Sequence, residues 1–136
     1  MRTHVEFRSN KFPSYENDVE GVNWNAGIYG KRLADYLVEK LPQHGIEVAR
    51  HLAEDWGWYI EIKHDGGFTL SVGCGSYQEY ENGFLCFVEP SKPLLRRWFK
   101  KIDVSSSINR TASALDSILT GDPEITALRW WEENEK

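Results

Sequence analysis

A chain of 136 residues with 40% hydrophobic and 27% charged side chains can bury one proper core and is too ordinary in composition for a disordered or fibrous protein. Its net charge of −5 argues against a general nucleic-acid binder, which needs a basic face for phosphates. Its two cysteines, Cys74 and Cys86, do not form a disulfide framework, and neither belongs to a Cys-x-x-Cys zinc or redox pair.

Residues 3–8 alternate, with Val5 and Phe7 on one side and His4, Glu6 and Arg8 on the other, which predicts a half-buried strand. Residues 9–27 show no sustained period and many turn formers, so a long irregular connection follows, carrying the acids Glu16, Asp18 and Glu20. From Ile28 to Leu41 the apolar residues Tyr29, Leu33, Tyr36, Leu37 and Leu41 recur at helical spacing. Asn25 is the expected N-cap, Pro42 blocks continuation, and Gly45 offers a left-handed exit.

Ile46, Val48, Arg50 and Leu52 alternate against Glu47, Ala49 and His51 as a second strand, and residues 53–57 turn. Trp58, Ile60 and Ile62 then face one way, and Phe68, Leu70, Val72 and Cys74 resume the alternation after Asp65-Gly66-Gly67. Shared burial of Ile62 and Leu70 places them opposite each other, with His64 opposite Phe68, Ile60 opposite Val72 and Trp58 opposite Cys74. Gly83 to Val88 is apolar at successive positions and is expected inside the sheet, with Cys86 opposite Cys74 and Val88 opposite Val72. The two thiols then pack as core neighbours, with a disulfide as the minor alternative.

Pro90 and Pro93 end that strand, and Leu94, Leu95, Trp98 and Ile102 predict a helix. A further helix runs from a cap among Ser105, Ser106 and Ser107 to Leu119, with Ile108, Ala112, Leu115, Ile118 and Leu119 as its stripe, stopped by Gly121 and Pro123. Residues 124–131 predict a last strand, and 132–136 a frayed tail. The expected fold is a single α+β domain of residues 1–136 in the order β-α-β-β-β-β-α-α-β. It is a two-layer sandwich with a mostly antiparallel sheet of five to six strands and about three helices on one face.

Charge is uneven. Lys92 to Lys101 holds five cations and no acid, so the net −5 becomes −10 over the rest of the chain, and a dipolar surface follows. Adjacent acids beside tryptophan, as in Glu54-Asp55-Trp56-Gly57-Trp58, can act as general acid and base. Neighbouring residues of a strand point to opposite faces, however, and an aspartate in a turn ordinarily bonds nearby backbone N–H groups, so a structural or binding role is favoured over catalysis. His4, His44, His51 and His64 have no metal-ligand spacing, the cysteines lie on apolar alternation, and the glycines match no phosphate loop. No cofactor and no metal is expected. Six tryptophans exceed what a core this size absorbs, so Trp24, Trp56 or one of Trp130 and Trp131 should reach the surface, where tryptophan is enriched at the centres of interfaces.

With its Glu54-Asp55-Trp56-Gly57-Trp58 turn and Val88-Glu89-Pro90 after the central strand, the chain resembles a group of small bacterial proteins with no assigned activity, from the first strand to the last. The resemblance implies a small bacterial cytoplasmic α+β protein and no mechanism. A cytoplasmic place also fits residues 1–6, which lack a signal-peptide core, and the absence of any run near the ~18 apolar residues that span a bilayer. The expected function is non-enzymatic protein binding of an inhibitor or immunity type. Its acidic surface of Glu16, Asp18, Glu20, Glu54, Asp55 and Trp56 would take a basic protein partner, neither nucleic acid nor membrane. Arg96, Arg97, Trp98 and Lys100 make a second candidate surface. The alternatives are a small-molecule enzyme using Glu54 or Asp55 as acid or base with His51 or His64 nearby, and a self-associating structural protein, monomeric or homodimeric.

Overall fold

The computed structural model describes residues 2–12, 30–54, 57–63, 69–76, 82–90 and 104–132. Alternating segments form six strands: β1 His4–Arg8, β2 Val48–Glu54, β3 Gly57–Ile62, β4 Leu70–Ser76, β5 Gly83–Pro90 and β6 Thr126–Trp131. They make one sheet in the order β2-β3-β4-β5-β1-β6, and every neighbouring pair is antiparallel. The fold is α+β. Its α-helices among the described residues are α1 Lys31–Lys40 and α2 Val104–Thr120, two where about three were expected. The helix read over Leu94 to Ile102 falls outside the described residues.

Strand periodicity dictates the register. Ile62 lies opposite Leu70, Ile60 opposite Val72 and Trp58 opposite Cys74, and β4 then sets Cys74 against Cys86 and Val72 against Val88, as the alternation requires. The His64–Phe68 pair lies outside the described residues. Continued through all six strands, this pairing makes two adjacent rows. Ala53, Trp58, Cys74, Cys86, Val5 and Trp130 follow one another on the helix side. Leu52, Tyr59, Gly73, Phe87, His4 and Trp131 follow one another on the other side.

The helix side is the core. Leu33, Ala34 and Leu37 of α1 and Ile108, Ala114, Leu115, Ile118 and Leu119 of α2 are buried in one cluster with Val5, Phe7, Ile60, Val72, Cys74, Phe84 and Cys86. Burial of this apolar surface, at roughly 25 cal/mol per Å² removed from water, is the main force holding helices to sheet. α1 ends as read: Pro42 enters a 3-10 turn at Leu41–His44, and Gly45 leaves it at φ 82, a left-handed conformation that suits glycine. Arg110 of α2 donates to the Gly45 carbonyl at 3.0 Å, so this exit also fastens the two helical segments together.

Four local readings need correction, the first being that Ser105, Ser106 and Ser107, expected to cap α2, lie inside its first turn. The cap of α1 is Gly30, with no side-chain hydrogen bond, in place of Asn25. In β2 a bulge between Val48 and Arg50 reverses the alternation. Val48 therefore opposes inward Ile62, whereas Arg50 opposes Glu61 and Leu52 opposes Tyr59 on the far side. Finally, the tryptophan that turns away from the helices is not the more exposed of the pair. Trp130 is half-buried on the helix side and donates to Asp116 of α2 at 2.9 Å, while Trp131 on the far side is only 2% exposed. Among the described residues its Nε1 is a buried donor without an acceptor.

That far side is a second packed layer of rings. His4 stacks on Trp131 at 4.7 Å and on Phe87 at 5.4 Å, and Tyr59 meets Phe87 edge-on at 6.3 Å. Gly73 lies between Tyr59 and Phe87 in the row, and a Cβ there would stand 2.3 Å from the Phe87 ring. Phe87 thus covers a strand position that only glycine leaves open. Gly73→Ala should lower the urea midpoint of unfolding, at a cost of about 1–3 kcal/mol typical of overpacking. Adding Phe87→Leu should recover part of the loss; an unchanged midpoint in the single variant would show that the ring has another place to go.

Candidate functional site

The candidate residues of the acidic loop and of the Glu-Asp-Trp turn belong to segments with described ends, Gly30 and Gly57, set against the same peptide of β4. The turn enters β3 at Gly57, where a Cβ would stand 2.3 Å from the Cys74 carbonyl oxygen and 3.1 Å from the Gly75 Cα. The long connection enters α1 at Gly30, where a Cβ would stand 3.2 Å from the same Gly75 Cα and 3.3 Å from the Cys74 oxygen. Both chain ends rest on one peptide unit of β4 because both are glycine. Gly30, at φ 137, also needs glycine for its backbone.

The other end of the long connection is pinned nearby. Phe12 is buried and packs edge-on against Phe84, the Cα partner of Ser76, and against Tyr36 of α1. Beside it, buried Asp122 closes a clasp of three segments. Its Oδ2 accepts from Lys11 Nζ at 2.7 Å and from the Tyr36 hydroxyl at 2.8 Å, and its Oδ1 accepts the Glu124 N–H at 2.9 Å. Lys11 Nζ also lies 4.9 Å from the Tyr36 ring centre. The Lys11 ammonium holds the Asp122 carboxyl below its ordinary value, helped by the Glu124 and Tyr36 donors. Burial, then the bond to Asp122, pushes the Tyr36 phenol up to about 12. With its oxygens filled by donors and its proton affinity lowered, Asp122 is a structural acceptor and a poor base.

Glu54 is half-exposed at the end of β2, paired with Gly57 on the ring-packed side of the sheet. On that side Tyr59 donates to Glu89 Oε2 at 2.7 Å. Burial, then the Glu89 bond, raises the Tyr59 phenol to about 12, and the charge of Glu54 adds to the effect. Other acids of this side are neutralised: Arg50 Nε meets Glu61 at 2.7 Å, and Arg129 meets Glu6 at 3.0 Å. Among the described residues no cation pairs with Glu54 or Glu89. Glu54 lies toward the seat of both loops, whereas Glu89, opposite Ser71, lies toward the Pro90 end of the same face.

Glu16, Asp18, Glu20, Asp55 and Trp56 themselves lie outside the described residues, as do Arg96, Arg97, Trp98 and Lys100 of the second surface. Glu54 and His51 do not converge. After the bulge His51 opposes Ile60 on the helix side, with its ring 5.9 Å from Trp58, whereas Glu54 is on the far side. The acid–base arrangement that would join them is not formed by these two residues; Asp55 and His64 lie outside the described residues. Among the described residues no three His, Cys, Asp or Glu side chains gather as a metal site, and no helix is long and apolar enough to cross a membrane. Comparison with known proteins adds nothing. No family model, curated protein or solved structure matches the chain.

Two arrangements went unread in the sequence, Tyr59 with Glu89 and the Lys11–Tyr36–Asp122 clasp. The first joins residues 30 apart that only the finished register brings near; the second joins residues 111 and 86 apart across unlike segments. The one local signal was Asp122 followed by Pro123 and Glu124, an aspartate placed to bond the backbone two residues on.

Because the Asp122 carboxyl is depressed on folding, its contribution is present above the unfolded value of about 3.9 and is lost as pH falls through the lower folded value. Urea unfolding measured from about pH 6 down to about pH 2 should show this acid limb in the native chain and a shallower one in Asp122→Asn. At the alkaline end, Tyr36→Phe and Tyr59→Phe should each remove one phenol from the part of an ultraviolet titration that lies near 12.

Proposed function

We propose that this protein is a non-enzymatic binding module, of the inhibitor or immunity type, that takes a basic protein partner at the end of the sheet where Glu54 stands. The observation that carries the reading is the common seat: the ends of the acidic loop and of the Glu54–Trp58 turn, Gly30 and Gly57, rest on the same Cys74–Gly75 peptide. Loops rooted together on a rigid strand can present their side chains as one surface at little ordering cost. Glu16, Asp18, Glu20, Glu54 and Asp55 are its charged elements, and Trp56 is its apolar anchor.

Charge supports the same reading. The basic run Lys92 to Lys101 begins two residues after Pro90 in sequence, and Pro90 lies seven residues along β5 from Gly83, or roughly 24 Å at strand rise. The chain ends of the acidic and basic segments therefore leave opposite ends of one strand, and a cationic partner is steered toward the acidic end. Arg96, Arg97, Trp98 and Lys100 form the second surface of the same proposal, for an acidic partner.

Capture of partners from native lysate by the tagged chain, repeated with Glu54→Lys and Trp56→Ala, tests the reading. Each variant should melt close to the parent and retain a tenth or less of the captured partner, a loss of about 1.4 kcal/mol or more. Capture unchanged in both would remove this surface from consideration.

A further inference from the structure

Cys74 and Cys86 are Cα partners on adjacent central strands, and both are fully buried free thiols. The kind of pair they form follows from the neighbouring ladder. Val88 N–H bonds to the Thr3 carbonyl at 2.9 Å and Ser9 N–H to the Asn82 carbonyl at 3.0 Å, so even-numbered residues of this segment turn their polar groups toward β1. Cys86 turns the same way, which leaves Cys86 and Cys74 as a non-hydrogen-bonded pair. In such pairs the Cα atoms stand about 4.5 Å apart and the side chains are closest, at the short end of the range of about 4.4–6.8 Å that a disulfide bridges. The neighbouring Cys74 thiol, together with burial, pushes the Cys86 thiol well up from its ordinary value. The carbonyl of Cys74 is also the atom against which Gly30 and Gly57 are set.

We propose that Cys74 and Cys86 are a redox-closable pair: a low-molecular-weight disulfide of the glutathione type converts them into a cross-strand disulfide, which stiffens the seat of both loops. One thiolate attacks the small disulfide, expelling one small thiolate and leaving a mixed disulfide. The second protein thiol attacks that sulfur and expels the other small thiolate. Two S–H bonds and the small S–S bond break, one protein S–S bond forms, and the two protons and two electrons leave with two small thiols. Neither cysteine meets solvent, so exchange proceeds through local opening of β4 from β5 and is slowed by the rarity of the open form. If the loops bind as proposed above, closure also sets how rigidly they are presented; that clause rests on the functional reading, and the disulfide does not.

Equilibration in glutathione buffers of graded ratio, started once from the reduced chain and once from chain oxidised in denaturant and refolded, removes the kinetic ambiguity. Trapped thiols are then counted by mass after alkylation in denaturant. The two starting points should converge on a disulfide held about tenfold to a hundredfold more tightly in the native than in the denatured chain, as expected for a short closed loop less some strain. Amide exchange at Gly30 and Gly57 should slow in the oxidised form. Cys74→Ser and Cys86→Ser should give mixed disulfides alone. Convergence on the dithiol, a constant no larger than that of the denatured chain, or an oxidised chain that cannot refold would each overturn the pair. Unchanged exchange at both glycines would overturn the stiffened seat. None of these readouts involves a partner, so their failure is separable from failure of the binding proposal.

Discussion

The close approach of chains across β4 is the constraint on which the rest of this fold hangs. This strand carries glycine at 73 and 75, and three separate elements use the space: the Phe87 ring lies over Gly73, while Gly57 and Gly30 sit against the Cys74–Gly75 backbone. A side chain at Gly57 or Gly30 would press on the Cys74–Gly75 backbone, and one at Gly73 would have to displace the Phe87 ring. Ring layer, turn and helix entry are thus coupled through one strand, and the weak strand propensity of glycine is offset by packing that no other residue permits.

The same strand divides two kinds of burial. On the helix side Cys74 lies in an aliphatic core, where small thiols fill space between Trp58 and Val5 without polar demand. On the far side the row is ringed and polar at its margins, and its charges are for the most part matched. Arg50 with Glu61 and Arg129 with Glu6 span neighbouring strands, pairs that are exposed enough to add little stability and serve mainly to keep like charges apart. Glu54 and Glu89 stand outside that matching among the described residues.

Sheet register was legible because it needs only parity and turn length. Ile62 against Leu70 and Cys74 against Cys86 follow from alternation alone, since a one-residue slip would carry every apolar side chain to the wrong face. Parity failed where the backbone breaks it. The bulge at Val48 and Arg50 sits between residues that look regular in sequence, and the bulge of β6 is accommodated by Ala127 at φ 54, a conformation its residue type does not announce. Helix interiors were legible from spacing, as Leu33, Leu37, Ile108, Leu115 and Leu119 attest. The start of α1 was not, because Gly30 was chosen by its contact with Gly75 and not by capping chemistry. Of the candidate site, composition could name the acids but not their seat. That Gly30 and Gly57 rest on the same Cys74–Gly75 peptide is a tertiary fact, with nothing local to betray it.

That distinction bears on why surplus tryptophan is a weaker pointer to an interface than it looked. Trp130 and Trp131 satisfy the expectation that alternate residues diverge, yet both are drawn inside, one by a hydrogen bond to α2 and one by stacking on His4. A sheet that carries a row of half-buried rings on its second face can absorb more indole than a one-sided sheet, so the count of tryptophans bears on burial capacity before it bears on binding. What remains specific is position. Glu54 stands at the end of an edge strand, in the field of a phenol raised by burial and near the peptide on which Gly30 and Gly57 rest, and the binding proposal depends on this placement more than on aromatic content.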